Sequence, residues 1–73
     1  MFHKVDIEIE ENGIMECKSF PVEDYYGIYE YVRAFGYAYA DADAVACWAE
    51  YAEDGEVYEM AGLYAEIYED IWR

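Results

Sequence analysis

The chain has 73 residues, with ten Tyr, three Phe and two Trp, and eighteen Asp plus Glu against four Lys plus Arg, for a net charge of −14 at pH 7. That length holds a single domain, residues 1–73, and leaves little room for a substrate cleft. Acidic disordered tails are poor in aromatic residues, so the composition excludes one; the charge excludes nucleic acid as a direct ligand, because phosphate would be repelled.

Residues 4–20 read as a β-hairpin. Val5, Ile7 and Ile9 alternate with Asp6, Glu8 and Glu10, the period of a half-buried strand. Glu11-Asn12-Gly13 is a hairpin turn signal, and IMECKSF alternates again. Two loop lengths compete. A two-residue Asn12-Gly13 loop sets Ile9 against Glu16 and Ile7 against Lys18, which mixes the faces. A three-residue loop, Glu11 to Gly13, sets Ile9 against Met15, Ile7 against Cys17 and Asp6 against Lys18. The second gives one apolar face and is preferred, with Gly13 left-handed in a bulge. Its cost is Glu8 opposite Glu16, a like-charge pair. Cys17 is then a core thiol.

Pro21 ends the second strand and suits the first turn of a helix. Val22, Tyr25, Ile28 or Tyr29, Val32 and Phe35 follow at helical spacing, with Gly36 as the C-terminal cap. Gly27, inside that helix, costs about 1 kcal/mol relative to Ala and suggests close approach of another element. A second helix starts at Asp41 or Asp43 as N-cap, carries Val45, Trp48 and Ala52 on one stripe, and ends at Asp54-Gly55. Cys47 lies in it and is expected to be wholly or partly buried. A third helix runs from about Glu56 to Trp72, with Val57, Met60, Ala61, Tyr64, Ile67, Tyr68 and Ile71 as its apolar stripe. The expected fold is α+β: an N-terminal β-hairpin packed on three α-helices (ββααα), with Asp6, Glu8, Glu10 and Glu16 outward.

The opening MFHKVDIEIE carries charges where a secretory leader is apolar, and no uncharged apolar run approaches 18 residues. A cytoplasmic protein with reduced thiols and no membrane partner is therefore expected. Catalytic chemistry has little to draw on. His3 is the only His and Ser19 the only Ser, and no glycine-rich phosphate loop exists. No catalytic residue, cofactor or metal ligand is assigned, and the chain is not expected to be an enzyme. Asp41 to Ala46 begins like a calcium loop but has Val45 and Ala46 where a ligand and a glycine belong. Glu53 to Glu56 is an acidic turn that offers at most a weak calcium site.

What remains is carboxylate and tyrosine on a small frame. Glu50, Glu53, Asp54, Glu56 and Glu59 surround the junction of the second and third helices, and Glu66, Glu69 and Asp70 form a ridge on the third. Such unpaired acids cost folding energy that a basic partner surface would recover. These residues, with Tyr58, are the candidate partner-binding set. Tyr26, Tyr31, Tyr39 and Tyr58 fall off the apolar stripes, and some of them should be exposed contacts. A globule of this length is roughly 30 Å across, a span over which duplex DNA carries about 17 charges, so the charge densities are similar.

In size and composition the chain resembles the small phage-encoded acidic DNA mimics, the anti-CRISPR and antirestriction inhibitors. That resemblance implies a protein of the host cytoplasm, monomer or homodimer, that occupies the DNA- or RNA-binding groove of a nuclease or CRISPR effector. The alternative is a small interaction or regulatory module that binds through Tyr and apolar surface, the acids serving solubility; a weak calcium-responsive domain is a third option. From composition alone, added salt should screen self-repulsion and stabilise the fold. A melting temperature measured from low to physiological salt is expected to rise; a flat response would show that the charges avoid one another.

Overall fold

The computed structural model describes residues 2–70 and has the order β1 (Phe2–Glu11), β2 (Ile14–Pro21), α1 (Tyr25–Ala34), α2 (Tyr39–Tyr51), β3 (Val57–Met60) and β4 (Leu63–Asp70). The strands form one antiparallel sheet in the order β2-β1-β4-β3. The core lies between one face of this sheet and the two helices. Val5, Ile7 and Ile9 of β1 and Leu63, Ala65 and Ile67 of β4 pack with Phe20, with Ile28 and Val32 of α1, and with Ala42, Val45, Ala46 and Ala49 of α2. The small residues of α2 let that helix sit close to its neighbours.

The expected ββααα arrangement is overturned: the described residues form ββααββ, and the segment expected as a third helix is the β3–β4 hairpin. Its end, Ile71 and Trp72, lies outside the described residues. The segment satisfies both periods. Val57, Met60, Ala61 and Tyr64 fit a helical stripe, whereas Leu63, Ala65 and Ile67 alternate with Tyr64, Glu66 and Tyr68. Gly62, at φ 78°, decides between them. A glycine there costs a helix about 1 kcal/mol but suits a turn between strands, here Ala61-Gly62. β1 also needs a second neighbour, because an isolated two-stranded hairpin is marginal in water. β4 supplies it, with Val5 opposite Ile67, Ile7 opposite Ala65 and Ile9 opposite Leu63. The Glu10 amide donates to Gly62 O (2.9 Å), and the Tyr37 hydroxyl donates to Ala61 O (2.7 Å), pinning the new turn.

The first hairpin takes the register that apolar patterning disfavours. Ile9 pairs with Glu16, Ile7 with Lys18 and Glu8 with Cys17, around a two-residue Asn12-Gly13 turn. Asn12 has φ 55° and Gly13 φ 79°, the pair of positive values that defines a type I′ turn. Its twist matches that of the strands, and Asn-Gly is the sequence that adopts it most readily. The mixed face is tolerated because β2 is an edge strand, and only Phe20 of it is buried. Lys18 extends over Phe20 and Tyr31, its ammonium 5.3 and 5.8 Å from the ring centroids, so its stem covers aromatic surface and its head stays wet. Cys17 and Met15 thereby leave the expected core and are exposed. Asp6 faces Ser19 rather than Lys18 and accepts a hydrogen bond from its hydroxyl.

α1 begins later than Pro21, which is the last residue of β2. Asp24 is the N-cap, and its Oδ1 accepts the Gly27 amide at 3.1 Å. Gly36 follows the C-cap Phe35, as expected, its amide donating to Arg33 O at 2.9 Å. α2 begins at Tyr39, so Asp41 lies in its first turn and neither Asp41 nor Asp43 is the cap. Gly27 is explained by its own helix: a Cβ there would run into the Asp24 carboxylate. That carboxylate would have to swing away and release the cap, worth about 1 kcal/mol, which offsets the propensity gain of up to about 1 kcal/mol. Gly27→Ala is therefore expected to be nearly neutral in the parent, yet to stabilise an Asp24→Ala background by about 1 kcal/mol. Urea denaturation of the four chains measures this; equal effects in both backgrounds would break the link.

Candidate functional site

Strand alternation sends every second side chain to the face of the sheet away from the helices. On β1 these are Lys4, Asp6, Glu8 and Glu10; on β4, Tyr64, Glu66 and Tyr68; on β3, Val57 and Glu59; and on β2, Met15, Cys17 and Ser19. Register arranges them in rows. Cys17, Glu8, Tyr64 and Glu59 cross the sheet in one row, and Ser19, Asp6, Glu66 and Val57 in the next. Asp6, Glu8 and Glu10 recur every ~6.7 Å along their strand, with neighbouring strands ~4.8 Å away. Asp6 and Glu66 stand directly opposite, a like-charge pair that costs stability. The result is a grid of five carboxylates, Asp6, Glu8, Glu10, Glu59 and Glu66, interleaved with Tyr64 and Tyr68. Lys4 is the one base of this face among the described residues.

Two groups report on the field of the grid. Burial, then the negative charges of Glu66, Glu59 and Glu8, push the Tyr64 hydroxyl above its ordinary range. Burial, then Asp6 and Glu8, do the same to the Cys17 thiol. At the turn end, a hollow of about 360 Å³ has Glu8, Glu10 and Glu59 on its walls beside Met15, Met60 and Tyr64. Carboxylate beside thioether and ring suits both the charged head and the apolar stem of a basic side chain.

The candidate residues from sequence are distributed differently from expectation. Glu59 and Glu66 join the sheet face. Glu50 lies in the last turn of α2, and Glu53, Asp54 and Glu56 lie exposed in the loop to β3. That loop is ordered by its own bonds: Glu56 Oε2 accepts the Glu53 amide (2.9 Å), and the Gly55 amide donates to Ile67 O (2.9 Å). The ridge of Glu66, Glu69 and Asp70 does not form, because adjacent positions on a strand point to opposite faces. Glu69, opposite His3, shares the helix-facing side. Asp70 ends β4, and its side chain is outside the described set. Tyr58 is half-buried against Trp48, with centroids 5.4 Å apart. Asp6, Glu8 and Glu10 were legible as outward-facing. What hid their alignment with Glu59 and Glu66 was the helical assignment of residues 56–72.

The helix layer carries the exposed tyrosines. Tyr26, Tyr39 and Tyr51 are 74%, 68% and 81% exposed, whereas Tyr31 packs on Phe20 and Phe35. Tyr51, the last residue of α2, adds to the tyrosines expected as exposed contacts from the sequence. Cys47 is also exposed, not buried, with its thiol 3.6 Å from Asp43 Oδ1. Residues 41–46 are helical, which rules out a calcium loop there. Among the described residues no three His, Cys, Asp or Glu side chains converge to hold a metal ion, and no helix is long and apolar enough to cross a membrane. Comparison of the chain with protein-family models, with curated proteins and with solved structures finds no match in any of the three.

Tyr25 joins the two helices by donating its hydroxyl to Asp43. That bond, with burial and the Asp43 charge behind it, pushes Tyr25 from its ordinary 10.0 to about 12. Burial raises Tyr31 and Tyr37 as well. A phenol that holds its proton more tightly folded than unfolded contributes stability below pH ~10 and loses it as pH rises through the folded value. Unfolding free energy is expected to fall from pH 10.0 to about 12, and Asp43→Asn to lower the Tyr25 titration. Tyrosinate absorbance with parallel urea melts checks this; a Tyr25 that titrates at its ordinary value would remove the bond.

Proposed function

We propose that this domain binds a basic protein surface through the open acidic face of its sheet, and that the surface is one that otherwise holds nucleic acid. The observation that carries the proposal is the carboxylate grid of Asp6, Glu8, Glu10, Glu59 and Glu66 on the face opposite both described helices. Asp6 and Glu66 oppose each other directly there, a cost that a cationic partner relieves. The molecule measures 36 × 24 × 18 Å. Duplex DNA carries about 21 phosphate charges over 36 Å, so −14 is of the same order. Basic grooves shaped for such a density are found in nucleases and other nucleic-acid-binding proteins. The acidic hollow would receive one Arg or Lys of that groove, and the loop acids Glu53, Asp54 and Glu56 would extend the contact. This is the mode of a nucleic-acid-mimic inhibitor of the anti-CRISPR or antirestriction kind.

A second mode has its own support in Tyr26, Tyr39 and Tyr51, which are exposed on the opposite, helical layer. Aromatic anchors of this type make contacts that salt affects little.

The two are separated by one experiment. Immobilised protein is exposed to a bacterial lysate, washed, and eluted with a short duplex DNA at constant ionic strength. The expected result is release of nucleic-acid-binding proteins by the duplex and no capture by a Glu8→Lys/Glu59→Lys/Glu66→Lys variant. With the purified partner, affinity should drop by orders of magnitude between ~50 and ~200 mM salt. Retention by the charge-reversed variant, lost instead in Tyr26→Ala/Tyr51→Ala, would move the contact to the helix layer.

A further inference from the structure

We propose that two copies of this chain associate through their β2 edges, in one register, to form a continuous eight-stranded sheet. The inference is independent of what the acidic face binds.

β2 is the longer of the two edge strands, with eight residues against four in β3. Its outward-facing backbone is fixed by two bonds. The Val22 amide donates to His3 O (3.2 Å), so odd residues of β1 face β2; the Glu10 amide donates to Gly62 O (2.9 Å), so even ones face β4. By register, Glu16, Lys18 and Phe20 spend their backbone groups on β1, and Met15, Cys17 and Ser19 aim theirs at the free edge. Exposed Ile14 (64%) and Met15 (58%) lie along it. A free edge of this length is a template for another strand.

Charge selects the occupant. β2 carries only Glu16 and Lys18, a net of zero, whereas β1 sets Lys4 against Asp6, Glu8, Glu10 and Glu11. α1 is also neutral, with Glu30 and Arg33. It covers the β2 side of the sheet, since its Tyr31 packs on Phe20 with centroids 5.3 Å apart. The neutral strand and the neutral helix therefore share one edge of a molecule with net charge −14. It is the edge along which a second copy can approach with least repulsion.

Charge also selects the register. An antiparallel two-fold pairing through Met15, Cys17 and Ser19 has few options. Centring it on residue 16 sets Glu16 against its own copy, and centring it on residue 18 does the same with Lys18. Centring it on Cys17 sets Glu16 against Lys18 of the second copy, twice, and Met15 against Ser19. The helix layer agrees. α1 lies on the β2 side, with Tyr31 on Phe20, so a sheet extended at β2 brings the two α1 helices toward each other on the same face. The two Cys17 Cα atoms would stand ~5.5 Å apart, within the ~4.4–6.8 Å that a disulfide spans.

Sedimentation equilibrium of the full chain tests this. A dimer is expected, tightening as salt screens the repulsion between copies. Lys18→Glu should weaken it on the order of tenfold by turning both cross-pairs into like charges. The swap Glu16→Lys/Lys18→Glu should restore it, with circular dichroism confirming that both variants fold. Diamide, which takes up the two electrons and two protons released as two thiols form a disulfide, should yield a covalent dimer that persists in Cys47→Ser and vanishes in Cys17→Ser. A monomer at every concentration, a folded swap variant that stays monomeric, or cross-linking through Cys47 alone would overturn the proposal.

Discussion

Val5, Ile7 and Ile9 face Ile67, Ala65 and Leu63 across the two middle strands, and everything else is arranged around that contact. β1 and β4 are the two strands of the sheet with a neighbour on each side, and six of the buried core residues belong to them. Their pairing creates the floor on which Ile28, Val32 and the alanines of α2 pack. It also fixes the opposite face. Once Ile7 and Ala65 point toward the helices, Glu8, Tyr64 and Glu66 must point away. The core and the acidic grid are thus two sides of one register.

Charge explains why the grid can exist at all. No charged residue is fully buried among the described residues, so no carboxylate incurs the full cost of leaving water. What the grid does incur is mutual repulsion, at Asp6 and Glu66 above all. A fold with few polar demands inside can tolerate repulsion outside: among the described residues no buried side-chain polar atom lacks a hydrogen-bond partner. Acids on the sheet side and tyrosines on the helix side then give the domain two chemically different faces.

Much of this was readable from residue pattern, and the failures have specific causes. β1 was visible because Val-Asp-Ile-Glu-Ile has no helical alternative. α1 was visible because its apolar spacing and Gly36 agree. In the first hairpin, turn chemistry outweighs apolar matching: Asn12-Gly13 prefers its own geometry, and an edge strand can place Lys18 on a nominally apolar side. β3 and β4 were missed because their residues satisfy both periods, and only Gly62 and the unmet pairing of β1 discriminate. The candidate site inherited that second error. Five acids on three strands look scattered along the chain, and they align only when residues 2–11 and 63–70 are known to be neighbours.

That neighbourhood shapes how the protein comes into being. β1 is made first, yet its second partner starts at residue 63. Closing so long a loop is slow compared with forming a hairpin or a helix. Until residues 63–70 have been made, the growing chain can hold a β1–β2 hairpin and two helices but lacks the β4 half of its core. The middle of the sheet closes only when Leu63 to Ile67 have emerged. Until then β1 has an unpaired edge on its β4 side, and the acids of the same strand, Asp6, Glu8 and Glu10, oppose its pairing with other acidic chains.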